Sequence, residues 1–531
     1  MRHDLRAALR VRPADAAWAF ALRAGLAVFV PLGVLVALGR TSSAPFATFG
    51  AFAALYGRDS LYRRRAVLVA ASGAGLAASV FVGGLAALAA APVGVIVVAA
   101  VGGAATLWCS RYQVGPPGGL MFTFATAVCS ALPTRPGDLP GHAGLAAGSA
   151  LAAWLIVMSG ALLTPDAPRR LAVARALRAA AALHEAPHGP AGLRARHQAA
   201  LAIEGAWRAI GPDRTERGDP RLEVLVAHAE TPRLEVLVAH AETELSGVHG
   251  HSAEVAAELR GLAGRLTRRG IAPRLAPTPI ESAKINERHL ALGLLRDRPP
   301  AGRGPLWPAA TRVALGALAA GAAAGLLTHF TGLAHPYWAA VSAVAVLQAA
   351  SLRLSFQRAV QRAGGTVAGL LIAGGAVAIP GGPWVLVAAI VVAQVIAELL
   401  VIRNYGLAML AVTPLALLVG ELGRKSPPLD LIGDRLVQTI LGCVLGLAAA
   451  AVVSNRAATR HLTSAITAVE EATTVVPDAR RLALLVATMR EAYEVAAGEP
   501  GLAEETVDRM LHAEHRARAA LVDAGQRRLS S

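Results

Sequence analysis

The sequence predicts an all-α, polytopic membrane protein with two parallel six-helix transmembrane repeats and a cytoplasmic helical domain. Apolar segments form two groups, about six between residues 24 and 164 and about six between 309 and 454. Most are near the length that crosses a bilayer. Of the 531 residues, 55% are apolar and 16% are charged, which is too hydrophobic for a soluble domain of this size.

Twelve segments have the composition of membrane helices. They are 24–39, 44–56, 66–90, 93–110, 118–132, 143–164, 309–329, 336–350, 363–379, 383–402, 406–420 and 433–454. Segments 44–56 and 336–350 are shorter than the roughly 20 residues that cross a bilayer, and each begins near a proline. Because short helices at matching places in two repeats often line a binding site, these two segments indicate where the site lies.

The segments divide the chain into four parts. We predict an N-terminal membrane repeat at 1–164, a cytoplasmic helical insert at 165–308, a C-terminal membrane repeat at 309–454 and a cytoplasmic helical tail at 455–531. In the insert, 169–185 and 193–210 carry apolar residues on one face, as amphipathic helices do, and 466–476 and 482–497 do so in the tail. The insert and tail are therefore predicted to form one cytoplasmic layer.

One register relates the two membrane repeats. With an offset of about 290, Arg23 matches Arg312, Pro45 matches Pro336 and Tyr112 matches Tyr405. The same register aligns a predicted basic loop at Arg63, Arg64 and Arg65 with a second one at Arg353, Arg358 and Arg362. A separate duplication, in which 220–231 recurs unchanged as 232–243, is given no function.

Basic residues in the short connections predict the orientation. About thirteen lie on the side of the N-terminus, namely Arg2, Arg6, Arg10, Arg12, Arg58, Arg63, Arg64, Arg65, Arg111, Arg353, Arg358, Arg362 and Arg403. About five lie on the other side, namely Arg40, Arg135, Arg424, Lys425 and Arg435. The positive-inside rule therefore predicts a multi-pass inner-membrane protein with both termini and the insert in the cytoplasm. The net charge of +16 is interpreted as this topology signal and not as a nucleic-acid surface.

Several function classes lack their sequence signals. Cys109, Cys129 and Cys443 lie in apolar segments without paired spacing, so neither a disulfide framework nor a zinc site is predicted. The chain has no Gly-x-x-x-x-Gly-Lys-Ser/Thr motif, which disfavours an ATP-driven pump within it. No nucleophile with a base and no metal cluster is evident, so we predict no enzyme activity, metal or cofactor.

The second repeat carries several motifs at characteristic spacing. His335-Pro336-Tyr337-Trp338 leads to Gln348, and Arg362 opens an Arg-x-x-Gly-Thr-x-x-Gly run. Further motifs are Arg403-Asn404-Tyr405, Thr413-Pro414-Leu415 and Asp434-Arg435-Leu436. Together they resemble the fusaric acid resistance and aromatic acid exporter family over about the last third of the chain. The first repeat resembles it more faintly, because Ala47 or Thr48 stands in place of Trp338. The resemblance implies export of small aromatic carboxylates.

Two arginines near the cytoplasmic ends of the first helices are candidates for substrate binding. Arg23 and Arg312 would supply positive potential to an organic anion, whose charge is costly in hydrocarbon unless it is compensated. The alternative is that both extend to the lipid headgroups as topology anchors. Both interpretations stay open.

Glu398 is the candidate for proton coupling. It lies in an otherwise apolar helix, one turn after Gln394, and an acidic residue at membrane depth indicates function. The alternative is a structural partner for an arginine such as Arg312 or Arg403. The first repeat has no evident equivalent carboxylate, so a proton route would be asymmetric.

Aromatic and polar side chains gather around the short segment 336–350. His335, Tyr337, Trp338 and Gln348 would suit an aromatic acid through ring stacking and a hydrogen bond to its carboxylate. Interfacial anchoring is the alternative, since Tyr and Trp are common at membrane surfaces. Asn404 and Tyr405 are weaker candidates for lining the pathway of the same substrate.

The sequence therefore predicts a membrane transporter that exports small aromatic or related organic acids, with proton coupling as an open element. An organic-anion channel and a non-transporting membrane scaffold are the alternatives. The predicted partners are a small organic anion and the lipid bilayer, with no nucleic acid, and homo-oligomer formation is left open.

Overall fold

Each of the twelve predicted apolar segments is helical in the computed structural model of the chain, which confirms the all-α class. The structure describes residue 11 and residues 18–187, 189–210, 231–245, 252–268, 275–279, 281, 307–333, 335–348, 352–377, 381–423, 428–453, 456–474, 479–497 and 502–529. Nineteen α-helices and no strand occur within these ranges. The predictions for Arg2, Arg6, Arg10, Arg12, Arg424 and Lys425, and for the first copy of the duplication up to residue 230, lie outside them.

Six helices make up the first half of the membrane region. They are α1 (Trp18–Ala37), α2 (Ala44–Ala51), α3 (Tyr62–Ala87), α4 (Ala91–Tyr112), α5 (Leu120–Ala131) and α6 (Leu139–Leu163). Short 3-10 turns at Thr41–Ser43, Phe52–Leu55 and Pro136–Asp138 flank α2 and precede α6.

The second half has the same order of helices. They are α11 (Trp307–Thr331), α12 (Tyr337–Leu347), α13 (Leu352–Val377), α14 (Pro383–Val401), α15 (Tyr405–Gly423) and α16 (Pro428–Val452). The second helix is short in both halves, with 8 residues in α2 and 11 in α12, and the third has 26 residues in both.

The remaining helices are amphipathic. Four lie in the central part of the chain: α7 (Ala167–Glu185), α8 (Pro190–Ile210), α9 (Thr231–Leu245) and α10 (Ala253–Arg268). Three follow the second half: α17 (Arg456–Thr474), α18 (Ala479–Ala496) and α19 (Glu504–Leu529). Helix α9 contains the second copy of the duplicated sequence, 232–243, and α19 lies within the predicted helical tail, beyond its two predicted amphipathic segments.

The chain divides into two compact units. The membrane unit comprises Met1–Leu163, Pro305–Arg456 and Ala497–Pro500, and the polar unit comprises Thr164–Gly304, Ala457–Ala496 and Gly501–Ser531. In the polar unit, α7 to α10 share a core of Ala, Leu, Ile and Val that includes Leu177, Ile203 and Leu259. A second core joins α17 to α19 through residues such as Leu462 and Met489.

Helix pairing in the membrane unit is reciprocal between the halves. Within the first half, α3 packs on both α5 and α6, and α2 packs on α6. Within the second half, the equivalent helix α13 packs on both α15 and α16, and α12 packs on α16. Between the halves, the fourth helix of each half packs on the first helix of the other, in the pairs α4–α11 and α14–α1. The fifth helix of each half likewise packs on the second helix of the other, in the pairs α5–α12 and α15–α2. This reciprocity is what a duplicated six-helix bundle would produce.

Seven helices of the described chain are long and apolar enough to cross a membrane: α1, α3, α4, α6 with its preceding turn, α11, α14 and the Gly433–Val452 part of α16. Helices α5, α12 and the first part of α15 are apolar but shorter. Helix α13 has the length of a span, but arginines occupy its N-terminal half. Most large apolar side chains that remain exposed belong to these membrane helices, as lipid contact would require.

Two predicted basic loops are in fact helical. Arg63, Arg64 and Arg65 lie in the first turn of α3, and Arg353, Arg358 and Arg362 lie in α13, which begins at Leu352 instead of residue 363. The prediction was wrong because charged residues were taken to end an apolar segment, whereas guanidinium groups can be satisfied within a bundle. Arg65, for example, donates hydrogen bonds to the carbonyl oxygens of Gly57, Arg58 and Ser60.

Glycines permit the closest helix contacts around the short helices. A methyl group on Gly50 of α2 would overlap the backbone carbonyl of Ala146 on α6, and one on Gly442 of α16 would overlap that of Ala339 on α12. The backbones therefore touch where each short helix meets the last helix of its half, as small residues allow in membrane bundles.

Candidate functional site

The candidate site is built around the first turn of the short helix α12. Pro336 precedes the helix and has φ of −59°, which suits a helix start. Trp338 follows in the first turn and is 6% exposed, with its ring packed among apolar side chains of both halves. Phe124 of α5 supplies the contact from the first half, with ring centroids 5.2 Å apart.

Arg435 lies over the ring of Trp338. Its guanidinium carbon is 3.1 Å from the ring centroid, a cation–π arrangement, and the residue is 3% exposed. The arginine distribution predicted Arg435 in an outer connection, and this prediction is wrong. Helix α16 begins at Pro428, so Arg435 lies two turns inside it and faces the bundle.

Within the described residues, no carboxylate is among the charged groups that act most strongly on Arg435. The groups with the largest electrostatic influence on it are Arg362, Tyr337 and Tyr405, and none of these is a carboxylate. Its Nε and Nη1 atoms have no hydrogen-bond acceptor among the described residues. Unpaired nitrogen atoms on a buried guanidinium are costly, so this position favours an anion.

A second buried arginine lies on the neighbouring helix α13. Arg362 is 4% exposed, and its Nη1 donates to the hydroxyl oxygen of Tyr405 at 2.8 Å and approaches the sulfur of Met409 at 3.8 Å. Its Nε has no acceptor in the described part of the chain. One turn earlier, Arg358 lies 5.7 Å from the centroid of the Tyr405 ring. Tyr405 thus contacts two arginines.

Further buried polar atoms on the same four helices lack partners in the described ranges. They are the hydroxyl groups of Ser342 on α12 and Thr413 on α15, and both side-chain amide atoms of Gln438 on α16. Ser342, Thr413 and Gln438 are all 0% exposed. Buried polar groups in proteins are normally hydrogen-bonded, so this concentration of donors and acceptors marks a polar region inside the second half.

His335 and Asp434 form the edge of this region. His335 Nδ1 lies 3.2 Å from Asp434 Oδ2, and the side chains are 33% and 8% exposed. The His335 ring also meets the Tyr337 ring edge-on, with centroids 5.9 Å apart. The structure therefore brings together four of the predicted site residues, His335, Tyr337, Trp338 and Tyr405, around arginines that the prediction did not include.

Asn404 and Gln348 have other positions. Asn404 Oδ1 accepts hydrogen bonds from the backbone N–H groups of Gly406 at 2.7 Å and Leu407 at 3.2 Å, so it is the N-cap of α15. Gln348 is the C-cap of α12 and lies ten residues after Trp338, which is roughly 15 Å along the helix axis. Its side-chain oxygen lies against Gly118 of the first half.

Arg23 and Arg312 lie away from the Trp338 ring. Arg312 Nε donates to the carbonyl oxygen of Val453 at 3.0 Å, just beyond the end of α16. Val453 is 18 residues from Arg435, or roughly 27 Å along a helix. The Arg23 guanidinium lies beside Gly160 in the last turns of α6. Each arginine thus contacts the C-terminal end of the last helix of its half, where cations are favourable, and Arg312 is 5% exposed. The substrate and anchor interpretations both stay predictions.

Glu398 lies where α14 packs on α1. Its Oε1 accepts a hydrogen bond from Gln394 Nε2 at 3.1 Å, and Arg58 is the charged group that acts on it. Arg58 also lies 4.6 Å above the ring of Phe20 on α1. The arginine near Glu398 is therefore Arg58 of the first half, and not Arg312 or Arg403 as the structural alternative expected.

Three residues of the site, Arg435, Arg362 and Gln438, were not predicted as site residues. The signal was present, because Arg435 already fell inside the predicted segment 433–454, and an ionisable residue within a membrane helix indicates function by default. In the register of the two halves, Ser72 stands where the second half has Arg362. Helix α6 also contains no Arg, Lys, Asp or Glu, so the charged site belongs to the second half.

The fold and its buried polar region define a multi-pass, all-helical membrane protein with a buried cationic site in one half. Residues 320–449 match the model of the family described as "Fusaric acid resistance protein-like", which confirms the resemblance predicted for this part of the chain. The match spans Trp338, Arg362 and Arg435. A relative along most of the chain is the "Uncharacterized membrane protein YvaC" of Bacillus subtilis (strain 168). It is 26% identical over 534 residues, which cover 93% of this chain and 83% of that protein. No solved structure matches the chain.

Proposed function

We propose that the protein is a transporter that exports small aromatic or related organic acids, and that Arg435 and Trp338 form its substrate site. The observation that carries the proposal is the buried guanidinium of Arg435, stacked on Trp338 with Nε and Nη1 unpaired among the described residues. Guanidinium groups bind carboxylates through parallel hydrogen bonds, and indole rings stack on aromatic ligands. One ligand with a ring and a carboxylate would satisfy both groups.

Arg362 and Tyr405 would extend the site. Arg362 acts on Arg435 electrostatically, so an anion entering between the two helices would be attracted by both charges. The polar atoms of Ser342, Thr413 and Gln438 would offer hydrogen bonds along the bundle. The family description of residues 320–449 names resistance to an organic acid, and export is one way to obtain resistance.

The test is uptake of radiolabelled benzoate into liposomes that contain the purified protein. Loss of a charge-assisted contact costs about 1.5–3 kcal/mol, so Arg435→Gln should reduce uptake at low benzoate concentration by roughly 10- to 150-fold. Arg403→Gln is the matched control, because Arg403 is an exposed arginine between α14 and α15. Uptake by Arg435→Gln at the wild-type rate would refute the proposed site.

An organic-anion channel would share the same cationic region. A channel conducts ions without coupling their movement to a second solute. Single-channel events in a benzoate current across a planar bilayer would therefore favour this second candidate. A transporter would give no such events and would saturate with benzoate. A scaffold without transport would show neither uptake nor current. We further propose that the polar unit and both termini lie in the cytoplasm, as the distribution of arginines predicts.

A further inference from the structure

Two buried arginines share one environment in the proposed substrate site. Arg435 of α16 and Arg362 of α13 are 3% and 4% exposed. Tyr405 links them, because its hydroxyl oxygen accepts from Arg362 Nη1 at 2.8 Å and the same residue acts electrostatically on Arg435. Among the charged groups that act on Arg435, Arg362 acts most strongly. The site therefore holds two positive charges that are close enough to repel each other.

Among the described residues, no carboxylate forms an ion pair with either arginine. Asp434 precedes Arg435 in the chain, but its Oδ2 lies 3.2 Å from His335 Nδ1. It is also not among the groups that act most strongly on Arg435. Glu398 accepts a hydrogen bond from Gln394 where α14 packs on α1. The described carboxylates of this half thus have other partners.

The charge of the two arginines determines which ligand suits them. Like charges repel each other strongly in a low-dielectric region, and each loses hydration when it is buried. A ligand with one carboxylate would balance one charge and leave the other. A ligand with two carboxylates would balance both. Nε of Arg362 and both Nε and Nη1 of Arg435 lack acceptors in the described ranges, so each guanidinium can receive a carboxylate oxygen.

Trp338 restricts the shape of such a ligand. Its ring lies under Arg435, with 3.1 Å between the guanidinium carbon and the ring centroid, and it also packs against Phe124. Aromatic surface beside a cation suits a flat ring that can stack on it. A rigid ring also holds two carboxylates at a fixed separation, so little conformational freedom is lost on binding.

We propose that the preferred substrates are aromatic dicarboxylates, with one carboxylate bound by Arg435 and the other by Arg362. The proposal rests on the proposed function and names the substrate class of the same site. Arg362 is then the residue that determines specificity, because it separates a dianion from a monoanion, whereas Arg435 binds both. A dianion is also more costly in hydrocarbon than a monoanion, so its export depends more strongly on a protein pathway.

The competing hypothesis is a second substituent that is polar but uncharged. Ser342, Thr413 and Gln438 are 0% exposed and have side-chain atoms without partners in the described part of the bundle. These groups offer hydrogen bonds but no charge, so they would bind an amide as readily as a carboxylate. The monoamide of each dicarboxylate has almost the same size and one charge less. Comparing each acid with its monoamide therefore separates the two hypotheses.

The measurement is equilibrium binding to the full-length protein in lipid nanodiscs. The radiolabelled probes are benzoate, phthalate, isophthalate and terephthalate, and the monoamides of the three dicarboxylates. At about pH 8 every carboxyl group is ionised, because ordinary carboxyl pKa values are about 4. Loss of one charge-assisted contact weakens binding by roughly tenfold or more, so at least one dicarboxylate should bind that much more tightly than benzoate and than its own monoamide.

Variants of Arg362 should change the preference more than the binding of benzoate. Arg362→Gln should weaken binding of the preferred dicarboxylate roughly tenfold or more, to the level of its monoamide. Arg362→Lys, which keeps the charge, should keep the preference. Arg435→Gln should weaken binding of dicarboxylates and benzoate alike. Arg403→Gln is the matched control, because Arg403 is exposed, and it should behave as wild type.

The proposal is overturned if no dicarboxylate binds more tightly than its monoamide, if Arg362→Gln keeps the preference, or if Arg362→Lys loses it. Wild type that binds benzoate as tightly as every dicarboxylate would overturn this proposal and leave the proposed function standing. Absence of binding by benzoate and by all three dicarboxylates would overturn both.

Discussion

Arg435 on α16 and Trp338 on α12 are in face contact, with the guanidinium carbon 3.1 Å from the centroid of the indole ring. The two residues are 97 positions apart in the sequence, and their contact is possible because Gly442 and Gly446 let α16 approach α12 closely. A cationic group and an aromatic group are thereby held together inside the bundle, as recognition of an aromatic anion would require.

The aromatic face of Trp338 should contribute measurably to ligand affinity. Stacking of an aromatic ligand on the ring is worth about 0.5–1.5 kcal/mol, so Trp338→Leu should weaken benzoate binding by roughly 2- to 13-fold. Trp338→Phe, which keeps a smaller ring, should have an intermediate effect. Trp307→Leu is the control, since Trp307 is 60% exposed at the start of α11. Equal affinity of Trp338→Leu and wild type would argue against stacking.

Close backbone contact at Gly442 should make this position intolerant of a side chain. A methyl group there would overlap the Ala339 carbonyl and lie 2.8 Å from Ser342 Cβ, so Gly442→Ala should destabilise the protein by about 1–3 kcal/mol. Gly420→Ala on α15 is the matched control, because no atom lies within 4 Å of the added methyl group. Thermal unfolding in detergent measures both. A Gly442→Ala melting temperature equal to that of Gly420→Ala would contradict the packing.

The polar unit should lose stability in acid through Glu514. Burial alone would raise the pKa of Glu514, but the hydrogen bond with His197 and the charges of Arg490 and Arg518 lower it to about 2. Because the folded pKa is below the ordinary value of about 4.5, Glu514 stabilises the fold above about pH 4.5. This contribution, about 3 kcal/mol, should be lost progressively as the pH falls towards 2.

Melting temperatures of the full chain between about pH 5 and about pH 3 test this. Glu514→Gln should be less stable than wild type at pH 5, because Arg490 loses the carboxylate that accepts from its Nε at 2.8 Å. The melting temperature of Glu514→Gln should also fall less than that of wild type as the pH is lowered. Glu505→Gln, at an exposed position of α19, should behave as wild type. An unchanged acid response in Glu514→Gln would exclude Glu514 as the titrating group.

Cysteine labelling can test the predicted orientation, since Cys109, Cys129 and Cys443 are at most 8% exposed and should not react. Gly137→Cys, between α5 and α6, should react with a membrane-impermeant maleimide in intact cells. Ala257→Cys, on an exposed position of α10, should react only after permeabilisation. Labelling of Ala257→Cys in intact cells would place the polar unit outside and refute the predicted topology.

The positions of the helices could largely be predicted from the sequence. Apolar runs and their breaks located all twelve helices of the membrane unit, because helix length and composition are set by the bilayer. The helix ends were harder to predict. Arg353, Arg358 and Arg362 belong to α13, and whether an arginine ends a helix depends on partners such as Tyr405, which lie far away in the chain.

The candidate site could be predicted only in part. The motif at 335–338 identified His335, Tyr337 and Trp338, since aromatic and polar residues beside a short helix are a local pattern. Arg435 was assigned to an outer connection because charge counting ignores depth. Asn404 was assigned to the route because its role as N-cap of α15 depends on two backbone N–H groups that a residue pattern does not display.

The sequence by itself determined that this is an all-helical membrane protein with two groups of apolar helices, because hydrophobicity and helix length are properties of single segments. Only the tertiary structure decided which side chains share an environment. Burial and charge compensation depend on contacts between helices, and these placed Arg435 over Trp338, paired His335 with Asp434, and brought Glu398 near Arg58 instead of the arginines expected from the sequence.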